Sequence, residues 1–162
     1  MNNDFDEAIN FVLEMEGGYT LDPNDPGGET NYGISRKSYP NLDIKNLSRQ
    51  DAVEIYRKDF WTPCHCDDLP RYWAMLVFDS AVNQGTRVAI RIMQIALNVT
   101  VDGIVGPKTL AAARSAKPRA VKVALAQRIA AYHRLMAEKP NLERYAVDWA
   151  FRVIDLATRI HI

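Results

Sequence analysis

The sequence predicts a mainly α-helical protein with a small loop or β-hairpin after its first helix. Through most of the 162 residues, apolar side chains recur three and four positions apart, the spacing of helices that bury one face. One stretch, residues 20–34, lacks this spacing and is dense in Asp, Asn, Pro and Gly, which favour turns. Because 48% of the residues are apolar, the chain is able to bury one sizeable core.

The first predicted helix runs from Asp4 to Glu16, and Asp4 and Glu7 have the spacing of a capping box. Gly17 and Gly18, which have poor helix propensity, end it. Its apolar side is formed by Phe5, Ala8, Ile9 and Val12. Glu16 continues this row, since residues four apart lie on the same helical face.

The position of Glu16 leaves two alternatives for its carboxyl group. Burial penalises the charged form of a carboxyl, so a sheltered Glu16 would keep its proton near neutral pH, as a general acid must. Alternatively, Glu16 reaches water or pairs with an arginine from the basic second half of the chain. The sequence pattern alone leaves both open.

The turn-rich stretch 20–34 is expected to fold back towards the carboxyl end of the first helix. Its polar side chains are suited to gripping a sugar opposite Glu16: Asp22, Asp25, Glu29, Thr30, Asn31 and Tyr32. Hydrolysis of a glycosidic bond uses a proton donor to the leaving oxygen and, on the other side, a carboxylate or a positioned water. The helix and the loop together favour acid-catalysed cleavage of a glycoside.

The rest of the chain is predicted to be almost entirely helical. Ser48 and Asp51 cap the second helix, which ends near Trp61, and Gly85 closes the third. A turn at residues 102–107 delivers Pro107 to the first position of a short helix. The predicted helices after the first are 48–61, Tyr72–Gln84, Arg87–Leu97, Pro107–Ala113, Arg119–Met136 and Leu142–Ile160.

The charges are divided unevenly, although the net charge is zero. Residues 1–80 carry 7 Lys and Arg against 15 Asp and Glu, whereas residues 81–162 carry 13 against 5. The basic half suits an anionic polymer, or it neutralises the acidic half within the fold. A nucleic-acid partner is disfavoured, since the second half has neither zinc-finger spacing nor a recognition-helix motif.

Signals for a membrane span, a signal peptide or a metal site are missing from the sequence. No segment approaches the 18 uncharged apolar residues of a membrane span, and the acidic first residues are unlike a signal peptide. Cys64 and Cys66 flank His65 without the spacing of metal-binding cysteines, and a disulfide between them would be strained. We therefore expect a protein made in the cytoplasm, with reduced thiols and without a metal or cofactor.

Six motifs follow one another along the chain. They are Glu-Gly-Gly-Tyr at 16–19, Asp-Pro-Asn-Asp-Pro-Gly-Gly at 22–28, Thr-Asn-Tyr-Gly-Ile at 30–34, Tyr-Arg-Lys-Asp-Phe-Trp at 56–61, Leu-Val-Phe-Asp-Ser-Ala-Val-Asn-Gln-Gly at 76–85 and Val-Asp-Gly-Ile-Val-Gly-Pro-Lys-Thr-Leu at 101–110. In this order they resemble glycoside hydrolase family 108, the lysozyme-like muramidases of phages and of bacterial secretion. The last motif resembles the peptidoglycan-binding region that follows the catalytic part in this family.

The resemblance implies a lysozyme-like helical fold and an organisation in two lobes. Residues 1–85 would form the catalytic lobe, and residues 86–162 a helical peptidoglycan-binding lobe packed on it as one compact unit. The implied reaction is hydrolysis of the β-1,4 bond between N-acetylmuramic acid and N-acetylglucosamine, without a cofactor or metal. The implied setting is phage-type lysis or wall remodelling during secretion.

The resemblance also assigns roles to residues. Glu16 falls on the catalytic acid. Glu16, Asp25 and Thr30 resemble a wider phage-lysozyme triad in which the last gap is one residue longer, and Asp22 rivals Asp25 as the second carboxylate. Further expected contacts to the sugar chain are Asp22, Tyr32, Asp79, Asn83 and Gln84. The alternative for Asp79, Asn83 and Gln84 is a polar face exposed to water. Tyr32 and Trp61 are able to stack on a sugar, and the alternative for each is packing in the core.

The expected partner is the glycan strand of peptidoglycan, in the periplasm. Because no signal peptide is apparent, a holin or a secretion apparatus is expected to give access to the wall, and the protein is expected to be a monomer. Two alternatives remain at this point: a wall-binding module without turnover, and a structural accessory of a phage tail or secretion apparatus. Retaining and inverting chemistry also stay open, because the choice depends on the distance between two carboxyl groups.

Overall fold

The computed structural model describes residues 4–21 and 28–161 of the protein. In these ranges the chain forms seven α-helices and one sheet of three short antiparallel strands in the order β1-β2-β3. The helices are α1 Asp4–Glu16, α2 Arg49–Tyr56, α3 Arg71–Gln84, α4 Thr86–Leu97, α5 Pro107–Ser115, α6 Pro118–Glu138 and α7 Ala146–Arg159. The strands are β1 Thr20–Leu21, β2 Glu29–Asn31 and β3 Ile34–Ser35. The predicted mainly α fold with a small hairpin after the first helix is confirmed.

The sheet follows α1 directly and ends in a tight turn. Strands β2 and β3 are joined by Tyr32 and Gly33 alone, and both have positive φ, 51° and 76°. This is the pattern of a type I′ hairpin, whose twist matches that of its strands. The buried Asn31 of β2 holds the sheet in place, because its side-chain N–H donates a hydrogen bond to the carbonyl of Ile44 at 3.1 Å. The turn therefore has a defined position beside the end of α1.

Helix α2 begins as predicted and ends differently. Ser48 and Asp51 form the predicted capping box. After Tyr56 the helix widens into a π-helical turn, Arg57–Trp61, where a continuous α-helix was predicted. Trp61 is buried against Phe5, so of its two alternatives the structure selects the core residue and not the sugar-stacking one.

Helix α3 is the centre of the protein, because every residue from Trp73 to Ala81 is buried. It packs against α1, α4 and α6. A helix enclosed in this way is apolar around most of its circumference. Gly85, with φ of 90°, closes it as predicted.

One helix boundary is corrected by the structure. The predicted helix Leu142–Ile160 starts as a 3₁₀ segment, Pro140–Tyr145, and becomes α-helical only at Ala146. None of the residues in that 3₁₀ segment is buried, so core packing does not favour an α-helix there.

Glu7 of α1 makes an ion pair that was not predicted. Its carboxylate accepts hydrogen bonds from Arg71 of α3. The capping box of Asp4 and Glu7 stays a prediction, because α1 begins at the first described residue.

The turn at residues 102–107 is organised by one buried glutamine. Gln94 of α4 donates to the Asp102 carboxylate at 2.7 Å and to the Ile104 carbonyl at 2.9 Å. The carbonyl oxygen of its amide accepts from the Gly103 N–H at 2.8 Å. Pro107 then begins α5, as predicted. Within the described ranges, none of the helices combines the length and the apolar character that crossing a membrane requires.

Candidate active site

Glu16 lies at the junction between α1 and the sheet. It is the last residue of α1, and Gly17 follows with φ of 74°. Its side chain is 21% exposed, and its Oε1 accepts a hydrogen bond from Nη1 of Arg152 at 2.7 Å. The backbone of Gly33 approaches so closely that a Cβ at this position would lie 2.7 Å from Oε2 of Glu16. The carboxyl group is thus held between an arginine on one side and the hairpin turn on the other.

The ion pair of Glu16 decides between the two alternatives that its sequence position left open. Arg152 comes from α7, in the basic second half of the chain. An adjacent guanidinium favours the ionised form of a carboxyl, whereas burial favours the neutral form. The expectation of a sheltered, unpaired carboxyl is therefore wrong: Glu16 is partly buried, as its helical row predicts, and it is paired.

Tyr56 stands beside Glu16 and was not singled out from the sequence. Its hydroxyl donates to the backbone carbonyl of Tyr32 at 2.8 Å. Burial raises the pKa of Tyr56 well above its ordinary value, and the negative charge of Glu16 adds to this effect. Tyr56 therefore stays protonated and fixes the hairpin turn against α2.

The hairpin residues predicted for the site occupy different environments. Thr30, in the middle strand, is half-buried between Thr20 and Ser35. Tyr32 is half-buried, packs against the core, and lines a cavity of about 400 Å³ beside α1 that does not include Glu16. Asp22 and Asp25 lie outside the described residues. Their assignment as the second carboxylate stays a prediction.

Asp79 is not part of a sugar-binding surface. Its side chain is only 1% exposed, and it pairs with Arg128 of α6 at 2.5 Å and with Arg152 of α7 at 2.8 Å. Burial raises the pKa of Asp79, but the positive charges of the two arginines outweigh it and hold this pKa below its ordinary value. The prediction that Asp79 contacts the glycan is wrong because α3 is enclosed, so its polar row meets other helices instead of a groove.

Asn83 and Gln84 lie at the end of the same helix and are half-buried. Oδ1 of Asn83 accepts a hydrogen bond from the hydroxyl of Tyr132, which in turn accepts from Nη2 of Arg128 at 3.1 Å. Oε1 of Gln84 is buried and has no hydrogen-bond partner among the described residues. Asn83 thus extends the charged cluster around Asp79, and its contact with sugar stays a prediction, as does that of Gln84.

Arg128 and Arg152 join Asp79 and Glu16 in one cluster, and neither arginine was singled out from the sequence. Both occupy buried rows of amphipathic helices: Arg128 lies between Leu125 and Tyr132, and Arg152 lies four residues before Leu156. A charged residue in such a row was the signal that singled out Glu16. Applied to the second half of the chain, the same test would have found both arginines, although not their partners.

The metal and thiol predictions concern residues away from Glu16. Cys64 and Cys66 are buried free thiols, and burial raises the pKa of Cys66 well above its ordinary value, with a further contribution from Cys64. Among residues 4–21 and 28–161, no group of three or more His, Cys, Asp or Glu side chains is arranged to hold a metal ion.

Two family models match the chain one after the other. The model described as Glycosyl hydrolase 108 matches residues 9–85, and the model described as Predicted Peptidoglycan domain matches residues 88–154. The chain belongs to glycosyl hydrolase family 108. This family 108 protein is a glycoside hydrolase that acts on peptidoglycan. Glu16 lies in the region matched by the first model and Arg152 in the region matched by the second.

The family 108 enzyme also has the fold of a solved structure, that of SagA from Brucella abortus. The two are 29% identical and superpose with a TM-score of 0.85, over 99% of this chain and 95% of that one. A search of curated proteins found no match.

Proposed function

We propose that this enzyme is an N-acetylmuramidase, which cleaves the β-1,4 bond between N-acetylmuramic acid and N-acetylglucosamine, with Glu16 as the proton donor. The observation that carries the proposal is the position of the Glu16 carboxyl at the junction of α1 and the hairpin, inside the region matched by the hydrolase family. One oxygen of this group is engaged by Arg152 and the other is not. The unengaged oxygen, Oε2, is the one that can hold a proton and pass it to the leaving sugar.

The ion pair does not prevent a carboxyl group from acting as a general acid. Catalytic hydrogen bonds are often looser or differently aligned before substrate binds, so the free structure does not exclude the role. A glycan placed over Glu16 would exclude water from the carboxyl group and bring the leaving oxygen to it.

The second half of the reaction needs a group on the opposite face of the sugar ring. We propose Asp25, with Asp22 as the alternative, as the carboxylate that stabilises positive charge or activates water. Thr30, on the middle strand of the hairpin, would position that water. Tyr32, Asn83 and Gln84 are proposed to contact the glycan.

The substrate also determines where the enzyme acts. Because peptidoglycan lies outside the inner membrane, we propose that the enzyme works in the periplasm as a monomer. A holin or a secretion apparatus is the proposed route, in phage-type lysis or in wall remodelling during secretion.

Replacement of Glu16 by Gln tests the proposed acid. Gln keeps the size of the side chain and can still accept from Arg152, but it has no proton to give. We expect Glu16→Gln to fold and to lose at least about a hundredfold in the rate at which it clears outer-membrane-stripped Gram-negative cells, the low end for loss of a general acid. Glu14→Gln is the matched control, because Glu14 lies on the same helix, is exposed, and pairs with Arg159 at 2.8 Å.

The products of wild-type digestion test the bond. Mass spectrometry of the released fragments should find N-acetylmuramic acid at their reducing ends. Fragments ending in N-acetylglucosamine would show a glucosaminidase instead. A folded Glu16→Gln variant that clears cells at the wild-type rate would exclude Glu16 as the acid.

A further inference from the structure

Arg152 joins the carboxyl group of Glu16 to a buried carboxylate. Its side chain is 8% exposed. Nε and Nη2 contact Oδ1 of Asp79 at 2.9 and 2.8 Å, and Nη1 contacts Oε1 of Glu16 at 2.7 Å. The planar guanidinium thus uses one edge for Asp79 and its remaining nitrogen for Glu16.

Asp79 is a rigid anchor for this arginine. It lies in the middle of the enclosed helix α3, and Nη1 of Arg128 contacts its other oxygen at 2.5 Å. Asp79 therefore lies between two arginines, and Arg152 lies between two carboxyl groups. Because a buried charge is stable only when it is paired, Arg152 is not free to leave Asp79. Its Nη1 is consequently fixed in space.

We propose that Arg152 is a positioning residue, which holds the Glu16 carboxyl in the orientation needed for proton transfer. The proposal rests on the role proposed above for Glu16. It makes α7, in the region matched by the predicted peptidoglycan domain, a part of the catalytic centre. The hydrolase region 9–85 is then incomplete without the last helix.

The surroundings of Glu16 show why one fixed nitrogen is enough to orient it. The turn at Gly33 and the hydroxyl of Tyr56 close the side of the carboxyl opposite to Arg152. Within residues 4–21 and 28–161, Arg152 of α7 contacts Glu16, Tyr56 of α2 lies beside it, and Asp79 of α3 lies behind the arginine. Arg152 is the one positively charged side chain of these three.

The decisive comparison is between two arginines of α7. Arg152→Met removes the contact with Glu16, whereas Arg159→Met removes an exposed ion pair between the same two helices, with Glu14. We expect Arg152→Met to lower kcat by about a hundredfold, the effect of a misplaced catalytic group, with KM changed less than about threefold. Arg159→Met should keep the wild-type kcat and KM.

Rates expressed per folded molecule separate a positioning role from a purely structural one. Circular dichroism gives the folded fraction of each variant, and kcat is calculated for that fraction alone. A variant that is merely less stable would then recover the wild-type kcat, whereas loss of the positioning contact lowers kcat of the folded enzyme.

Arg152→Met leaves the buried Asp79 with Arg128 as its one partner, which destabilises the protein. A second variant therefore tests the role of Arg152 in a protein that keeps a cation beside Asp79. Arg152→Lys keeps a positive charge beside Asp79, but an ammonium group is a point charge that does not span both carboxylates as the guanidinium does. We expect it to melt close to the wild-type temperature, followed by circular dichroism, and still to have a lowered kcat. Glutamate at residue 16 is retained in both variants.

Each outcome bears on one claim. If folded Arg152→Lys and Arg152→Met have the kcat of Arg159→Met, the positioning role is wrong, even when Glu16→Gln is inactive. A raised KM with unchanged kcat would overturn it as well, since that marks a substrate contact. Activity in Glu16→Gln would instead refute the proposed function, independently of Arg152.

Discussion

Gly33 is the residue on which the geometry next to Glu16 depends most directly. A Cβ on Gly33 would lie 2.5 Å from the Tyr56 hydroxyl oxygen and 2.7 Å from Oε2 of Glu16, which is closer than real Cβ atoms approach such atoms. Its φ of 76° is also strained for any residue with a side chain. The absence of a side chain is therefore what allows the hairpin to reach the carboxyl group.

Gly33→Ala should reduce both stability and activity. The left-handed conformation alone costs about 1–2 kcal/mol, and the clash would displace Glu16 or Tyr56. Urea unfolding and the clearing assay would measure the two effects. Gly17 also has a positive φ, but a Cβ added there would have no other atom within 4 Å. Gly17→Ala should therefore lower the free energy of unfolding without lowering the clearing rate. Equal rates for Gly33→Ala and Gly17→Ala would show that the close contact is irrelevant to catalysis.

The partial burial of Glu16 was predictable from the sequence at residue level, but the surroundings of its carboxyl group were not. The spacing of α1 places Glu16 on the buried side, and the structure agrees. Its partner lies 136 residues away along the chain, and no local pattern pairs two such distant positions. For the same reason Asp79 was predicted to face a sugar: its helical row is polar, and only the packing of α6 and α7 shows what that row meets.

Gln94 shows how a single side chain supports an element that lacks regular structure. Its amide satisfies the Asp102 carboxylate, the Ile104 carbonyl and the Gly103 N–H together. These contacts fix the turn that leads into α5. The turn therefore contributes to the stability of the region 88–154, and none of these contacts involves Glu16.

Gln94→Leu should destabilise the protein without changing kcat. Leucine has a similar size but leaves the polar groups of the turn without their partner, which costs about 1–3 kcal/mol. Denaturant unfolding would measure this loss, and the clearing rate of the folded variant should equal that of the wild type. Gln50→Leu, on the exposed face of α2, is the control and should stay within about 0.5 kcal/mol. A stability of Gln94→Leu equal to that of Gln50→Leu would contradict the argument.

The α-helical elements were the most predictable part of the fold, since each repeats an apolar spacing over several turns. Ser48, Gly85 and Pro107 also gave correct boundaries because caps and prolines act locally. The π-helical turn at Arg57–Trp61 and the 3₁₀ segment at Pro140–Tyr145 were predicted as α-helix. Both continue a helical pattern in sequence, and the local spacing does not distinguish the three kinds of helix.

At the scale of the whole molecule, acidic residues of the first half, 1–80, pair with basic residues of the second half, 81–162. Glu16 and Asp79 pair with Arg152, Asp79 also pairs with Arg128, and Glu14 pairs with Arg159. The basic half therefore neutralises acidic residues within the fold, which was one of the two interpretations of the charge division. The surface arginines and lysines of this half are still available to an anionic polymer.

Asp79 should make the stability of the protein depend on pH in acid. Since its pKa is lower in the folded state than the ordinary 3.8, its contribution is complete above that value and is lost as the pH falls through the folded-state pKa. Asp79→Asn should therefore be less stable at pH 7, by about 3–5 kcal/mol for a broken buried pair. Its further loss of stability in acid should be shallower than that of the wild type.

Urea unfolding at a series of pH values would measure this difference, with the exposed Asp148→Asn as the control. Parallel curves for Asp79→Asn and the wild type below pH 3.8 would show that Asp79 does not contribute to the acid dependence.

The shared guanidinium of Arg152 limits how such an enzyme can be recombined. If residues 9–85 were fused to an unrelated second region, Asp79 and Glu16 would lose the guanidinium of Arg152. A functional fusion must therefore include α7. Engineering of new specificities is therefore better attempted by surface redesign than by shuffling halves.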